Sequence, residues 1–338
     1  MLLDSLVALG LTVALVPLAL VGLRRLHVID KPSERSSHDR PTARGGGVAP
    51  AVGMLVVLGA GSAVTGPYRA ALVVGCTGFG LIGLAEDIWG IPALRRLSLH
   101  AVVAAITVPW LLQGLHEPPG LQVTATLLTL VWLVAYVNAF NFMDGINGIA
   151  CAQAIVAGTS WYVIGRAEHV PAFVGGSALL AAATLGFLPY NFPAARVFLG
   201  DVGSYFLGAW LAILVVVGLR GRIAPEAVLA PVSLYLVDTA FTLARRVARR
   251  ERWYAPHRDH AYQRLVRAGW SHTRATALVT TVVVLCSGLG AISVTGAPIA
   301  ARVAADVAIV CILGAYLVGA EWITIGAKRP VRRPLGPA

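Results

Sequence analysis

Charge is scarce in this chain. Asp, Glu, Lys and Arg make up 13% of its 338 residues, about half of the roughly 25% usual in a soluble domain. Hydrophobic residues reach 57%, with 36 glycines besides, and mean hydropathy is +0.75. So few charges cannot cover so much apolar surface in water, which excludes the pair of soluble domains of ~150 residues that length alone suggests. Cysteine is sparse as well. Cys76, Cys151, Cys286 and Cys311 are scattered through apolar stretches without a CxxC, which excludes a disulfide framework and a thiolate zinc site. HExxH is missing, and with it the zinc-protease helix. Apolar runs are continuous, without the alternation of a transmembrane β-barrel, and no internal repeat is evident. Carboxylates are the minority charge: 16 Asp and Glu against 27 Lys and Arg, a net +11. In a chain of many spans that excess reads as basic residues gathered in cytoplasmic loops, and no nucleic-acid partner is expected.

Long apolar runs fill the rest. Spans of about 20 residues are predicted near 2–23, 46–65, 70–86, 98–113, 121–140, 146–165, 172–190, 199–219, 223–243, 275–295 and 303–326. The expectation is an all-α polytopic membrane protein of about eleven transmembrane helices, one integral membrane domain over 1–338. The first run opens MLLD with no basic n-region, so it reads as a span and not a secretory signal. With the N-terminus outside and the C-terminus cytoplasmic, 22 of the 27 Lys and Arg fall on the cytoplasmic side, as the positive-inside rule requires. The weak point is the Arg220/Arg222 pair in a short outer turn. Motif-bearing cytoplasmic loops are expected near 24–45, 86–97, 138–147, 190–201 and 244–274.

Five motifs lie on that side. The first loop holds His38, Arg40, Pro41, Thr42 and Arg44, followed by Gly45-Gly46-Gly47. Its cations and glycine N–H groups suit phosphate, and a solvated basic loop is the plainer alternative. Glu86-Asp87 closes the third span, where adjacent carboxylates are costly unless paired. Asn138, Asn141, Asp144 and Asn147 recur at steps of three, expected near one helix face and suited to ligand or metal-water recognition. Helix capping would account for one of them. Asn191, Arg196 and Asp201 flank the eighth run. Asp201 sits between glycines expected to let a ligand approach, and a carboxylate there can hold Mg²⁺ or simply cap the helix. The longest loop carries His257, Arg258 and His260, fit to clamp a diphosphate or merely solvated.

In this order and on one side of the membrane, the motifs resemble the polyprenyl-phosphate N-acetylhexosamine-1-phosphate transferases, glycosyltransferase family 4, over roughly residues 24–275. The loops around His38–Gly47 and His257–Leu265 are most similar to the O-antigen and enterobacterial common antigen initiators; the lipid I synthases tend to carry three histidines in the latter. Three departures stand out: Glu86 replaces the first aspartate of a pair, Ala43 stands in the PTPRGG stretch, and Asn147 replaces the second aspartate of DGIDG, which removes general-base chemistry from that position.

The resemblance implies transfer of a sugar 1-phosphate from a UDP-N-acetylhexosamine to undecaprenyl phosphate at the cytoplasmic face of a bacterial inner (plasma) membrane. It implies Mg²⁺, or Mn²⁺, on Asp201. Asp87 would accept a proton from the lipid phosphate or orient it, with Glu86 beside it. Asp144 and Asn141 would position the nucleotide sugar or metal waters. His38, Thr42, Arg44, Asn138, Asn147, Asn191, Arg196, His257, Arg258 and His260 would contact substrate. A covalent phospho-aspartate route, a lipid I-type phospho-MurNAc-pentapeptide transfer and a polytopic sugar transporter are the alternatives. The donor sugar, the glycan pathway and the oligomeric state, a homodimer included, stay open.

Overall fold

The computed structural model describes residues 1–30, 41–61, 63–252 and 257–327. It is nearly all helix. The elements used below are α1 (Leu2–Arg25), α2 (Val48–Ala60), α3 (Gly66–Trp89, with one π-helical turn at Leu72–Cys76), α4 (Ala93–Leu111), α5 (Pro119–Met143), α6 (Ile149–Ala167), α7 (Pro171–Asn191), α8 (Gly200–Arg220), α9 (Pro225–Ala248), α10 (Ala261–Arg267), α11 (His272–Val294) and α12 (Ile299–Ala327). All eleven predicted runs are helical. Among the described residues, eight helices are long and apolar enough to cross a membrane: α1, α3, α5, α7, α8, α9, α11 and α12. The run at 46–65 yields only the 13-residue α2, and α4 and α6 complete the eleven.

Local sequence sets the boundaries. Proline opens α5, α7 and the first turn of α9, where its missing N–H costs nothing. Gly148, in left-handed conformation at φ +77°, separates α5 from α6. Packing follows from composition. α8 is the axis of the bundle, buried along nearly its whole length from Gly200 to Gly218. The outward faces of α1, α5 and α12 leave Leu2, Leu18, Leu128, Val131, Val310 and Trp322 exposed, as side chains facing lipid would be.

One small sheet interrupts the helices. β1 (Ile29–Asp30), β2 (Thr42–Arg44) and β3 (Val197–Phe198) form a three-stranded sheet, antiparallel between β1 and β2 and parallel between β2 and β3. This sheet ties the loop after α1 to the loop before α8, and Gly46 and Gly47 extend the pairing by donating to the carbonyls of Phe198 and Leu199. The glycines have a different job from the one expected. A Cβ on Gly47 would overlap the Cα of Gly203, and one on Gly83 would overlap the carbonyl of Asp201. They admit neighbouring backbone, not ligand, and so draw α2, α3 and α8 together.

Candidate active site

Arg44 ends β2 and reaches two carboxylates brought by different helices. Its Nε lies 2.7 Å from Asp87 Oδ1 and its terminal nitrogen 2.6 Å from Asp201 Oδ2. Asp87, at the end of α3, has a fully buried side chain, and its oxygens also accept the backbone N–H groups of Asp201 and Val202 at 3.0 Å each. Those are the first turn of α8, where orphan donors and the helix dipole both favour an anion. Burial pulls the Arg44 guanidinium down, but Asp201 and Asp87 outweigh it and hold the group above its ordinary value. Arg44 therefore stays charged.

The second oxygen of Asp201 accepts from Asn141 Nδ2 at 2.7 Å, and the same amide lies 2.8 Å from Ser204 Oγ. Asp144 follows at the end of α5. Among the described residues its carboxylate takes no hydrogen bond or ion pair. Burial, reinforced by the negative charge of Asp201, pushes it up to about 7, so near neutrality it is divided between acid and carboxylate. A half-buried, unbonded carboxylate close to a second one is what a divalent cation would relieve. Asp144 and Asp201 are the carboxylates available to such an ion, although among the described residues no group of three His, Cys, Asp or Glu side chains gathers as a ready-made cation site.

The predicted face of four side chains is cut short. Only Asn138 and Asn141 lie on α5, because the helix stops at Met143 and Gly148, at φ +77°, turns the chain. Asn138 turns to His100, 3.0 Å away. Asn147 leaves the cluster: its Nδ2 donates to the Pro193 carbonyl at 3.0 Å and its own carbonyl accepts from Thr276. Asn191 is buried and committed on both sides, accepting from Gly148 N–H at 2.8 Å and donating to the Val197 carbonyl at 3.0 Å. It staples two loops together. Arg196 is exposed and Thr42 is buried in β2, while His38 lies outside the described residues. Glu86 accepts from Ile91 N–H and pairs with Arg96 at 3.1 Å.

A cavity of about 820 Å³ opens beside this cluster, within the usual range for a ligand site. Arg44, Asn141, Asp201, His257, His260 and Gln263 give it a polar end, and Leu94, Leu97, Val134, Leu236 and Leu243 line an apolar wall between α4, α5 and α9. Arg96 joins the two, its guanidinium 6.0 Å from the Tyr205 ring. Burial, then the neighbouring His260, lowers His257 to about 4, so the ring is uncharged near neutrality before an anion arrives. Arg258 is half-buried and not among the lining residues. The basic segment docks through Tyr262, whose hydroxyl donates to the Phe142 carbonyl at 2.9 Å over Gly145, where a Cβ would overlap it.

The geometry adds residues that had been given no role: Arg96, counted only among the cytoplasmic cations; Ser204 and Gln263, which lie within the motif stretches; and Asp238 behind His260. Asp238 alone carried a signal, as a solitary carboxylate within an apolar run.

The description "Glycosyl transferase family 4" matches residues 69–219. A decaprenyl-phosphate N-acetylglucosaminephosphotransferase of Mycolicibacterium smegmatis is 31% identical over 330 residues, 82% of this chain and 79% of the relative. This chain belongs to the polyprenyl-phosphate N-acetylhexosamine-1-phosphate transferases. Two further members of that family are similar over comparable lengths. The corresponding Mycobacterium leprae protein is 30% identical over 82% of this chain and 81% of its own. A probable undecaprenyl-phosphate N-acetylglucosaminyl 1-phosphate transferase of Bacillus subtilis is 29% identical over 81% and 79%. The family match spans Asp87, Asp144 and Asp201, the three carboxylates that meet beside the cavity.

Proposed function

We propose that this chain transfers an N-acetylhexosamine 1-phosphate from a UDP-sugar to undecaprenyl phosphate, releasing UMP and leaving a lipid diphosphate sugar that begins a cell-envelope polysaccharide. The observation that carries this reading is the two-sided cavity. Its apolar wall suits a polyprenyl chain, and its polar end suits the phosphates.

An oxygen of the lipid phosphate attacks the sugar-bearing phosphorus of the UDP-sugar, and the bond bridging that phosphorus to UMP breaks, UMP taking the electron pair. Both reactants are anions, so their repulsion is the first barrier. Arg44 supplies a fixed positive charge between Asp87 and Asp201. The side chain of Asp87 has no exposed surface and spends its oxygens on Arg44 and on the start of α8, so we assign it to positioning and not to contact with phosphate. Asn141 orients Asp201. Asp144 is divided between acid and carboxylate near neutrality when no ion is bound, and binding of a cation there would release its proton. Mg²⁺ held by Asp201 and Asp144 would neutralise phosphate charge and polarise the phosphoryl oxygens. The second pKa of a phosphate monoester is about 6, so much of the nucleophile is already dianionic and an obligatory base is not needed.

We place the protein in the bacterial inner membrane with eleven spans, N-terminus outside and C-terminus in the cytoplasm, from the distribution of basic residues. A reporter fused after residue 338 should read cytoplasmic; an external reading would remove one span. Activity is tested by incubating the purified protein with undecaprenyl phosphate, Mg²⁺ and a panel of UDP-N-acetylhexosamines, then weighing the lipid product. A product heavier by one HexNAc phosphate is expected. No UMP release from any donor would refute the reading.

A further inference from the structure

Asp238 stands apart from the cluster around Arg44. It lies within α9, fully buried, where an unpaired carboxylate is costly. Three elements supply its donors. Thr242 on α9 donates at 3.2 Å, Ala261 N–H at the start of α10 lies 3.1 Å from each oxygen, and Tyr316 Oη on α12 donates at 2.9 Å. The remaining contact is His260 Nδ1, 3.1 Å from Oδ1. An acceptor lone pair facing a carboxylate would repel it, so Nδ1 carries the hydrogen. Nε2, on the opposite edge of the ring, is buried and has no partner among the described residues, and His260 lines the cavity. The ring is held on its faces by Phe142, Tyr262 and His257, with centroids 6.1, 6.2 and 5.1 Å away. Farther along α12, Glu321 pairs with both Arg245 and Arg264, so the last helix grips α9 and α10 together.

We propose that Asp238, steadied by Tyr316 of the C-terminal helix, is a positioning residue that acts through His260, fixing its ring with hydrogen on Nδ1 so that Nε2 meets the substrate diphosphate. This rests on the transferase reading above. Neither residue lies within the stretch that the family description matches. A role in packing alone would be met by any isosteric polar side chain. A carboxylate adds control over which ring nitrogen is protonated.

The test separates those roles. The titratable and charged groups around the ring are Asp238 on α9, Tyr316 on α12, and His257, Tyr262 and Arg264 of its own segment, so kcat against pH is measured for each variant. Asp238→Asn should lower kcat by about 10- to 100-fold, the range seen when the hydrogen-bond partner of a metal-bound histidine is lost, and displace the pH profile. In a His260→Gln background the same change should cost less than about 3-fold, because residues acting as one unit are not additive. Equal losses in both backgrounds would overturn the proposal. Should Asp238→Asn fail to fold, Tyr316→Phe is the second variant: it should show a smaller loss that likewise disappears without His260, and a loss that persists there refutes it. The ¹⁵N spectrum of histidine-labelled wild type, with His260→Gln to identify the signal, reads the tautomer without turnover. Hydrogen on Nδ1 is expected, and hydrogen on Nε2 alone overturns the proposal. A wild type with the expected tautomer that turns over no UDP-sugar would instead refute the transferase reading.

Discussion

Asp87 closes the start of the helix that carries Asp201, accepting the Asp201 backbone N–H at 3.0 Å. The two carboxylates are joined a second time through Arg44, which bridges their side chains. One aspartate thus sets the position of the other from both ends, backbone and side chain. The division of labour follows from exposure: Asp87 has none, whereas Asp201 lines the cavity.

Asp201→Asn should keep the fold, since an amide can still accept from Asn141, but should lower kcat by about three orders of magnitude, as loss of a group that holds charge at a phosphoryl centre does. EDTA should abolish UMP release, with Mg²⁺ or Mn²⁺ restoring it. Steady turnover in metal-free buffer, or near-normal activity of the variant, would refute this assignment. Asp87→Asn should be equally severe and should also lower the melting temperature, because it removes the anion from a helix N-terminus.

Asp144 makes stability depend on pH. Burial, then Asp201, raises its folded value to about 7, above the ~4 of an exposed carboxylate. The native state therefore favours the protonated form. Its stabilising contribution is full below about 4 and is lost as pH rises through about 7. The melting temperature of metal-free protein in detergent should fall across that window, and Asp144→Asn should flatten the slope. Mg²⁺ should flatten it too, by favouring the ionised form. An unchanged slope in the variant would show that other groups govern it.

Asn147 donates to the Pro193 carbonyl, which an aspartate cannot do. Asn147→Asp would set two acceptors face to face at an exposed contact, losing a hydrogen bond worth about 0.5–1.5 kcal/mol, visible as a slightly lower melting temperature. Activity should stay within about tenfold, because the position lies outside the carboxylate cluster. An inactive wild type revived by Asn147→Asp would show instead that an ionisable group is needed there.

The carboxylates and Arg44 were legible in the sequence because charge at the end of an apolar run is expensive and rarely incidental. The eleven helical runs were legible for a similar reason, since hydropathy alone marks them. Asn191 shows where such reading stops. A buried asparagine has the same letter whether it bonds a ligand or the backbone of two adjoining loops, and here it does the latter. Asn147 shows a second limit: steps of three imply one face only while the helix lasts, and α5 ends at Met143. The close glycine contacts between α2 and α8 join residues far apart in sequence, and their spacing gave no sign of what would fill the gap.

Those glycine contacts also tie the polar groups of the site to one another. Nothing larger than hydrogen fits between Gly47 and Gly203, or between Gly83 and the Asp201 carbonyl. A single added methyl at one of these helix contacts would therefore push apart the elements that carry Arg44, Asp87 and Asp201, and would disturb all three groups without touching any of them.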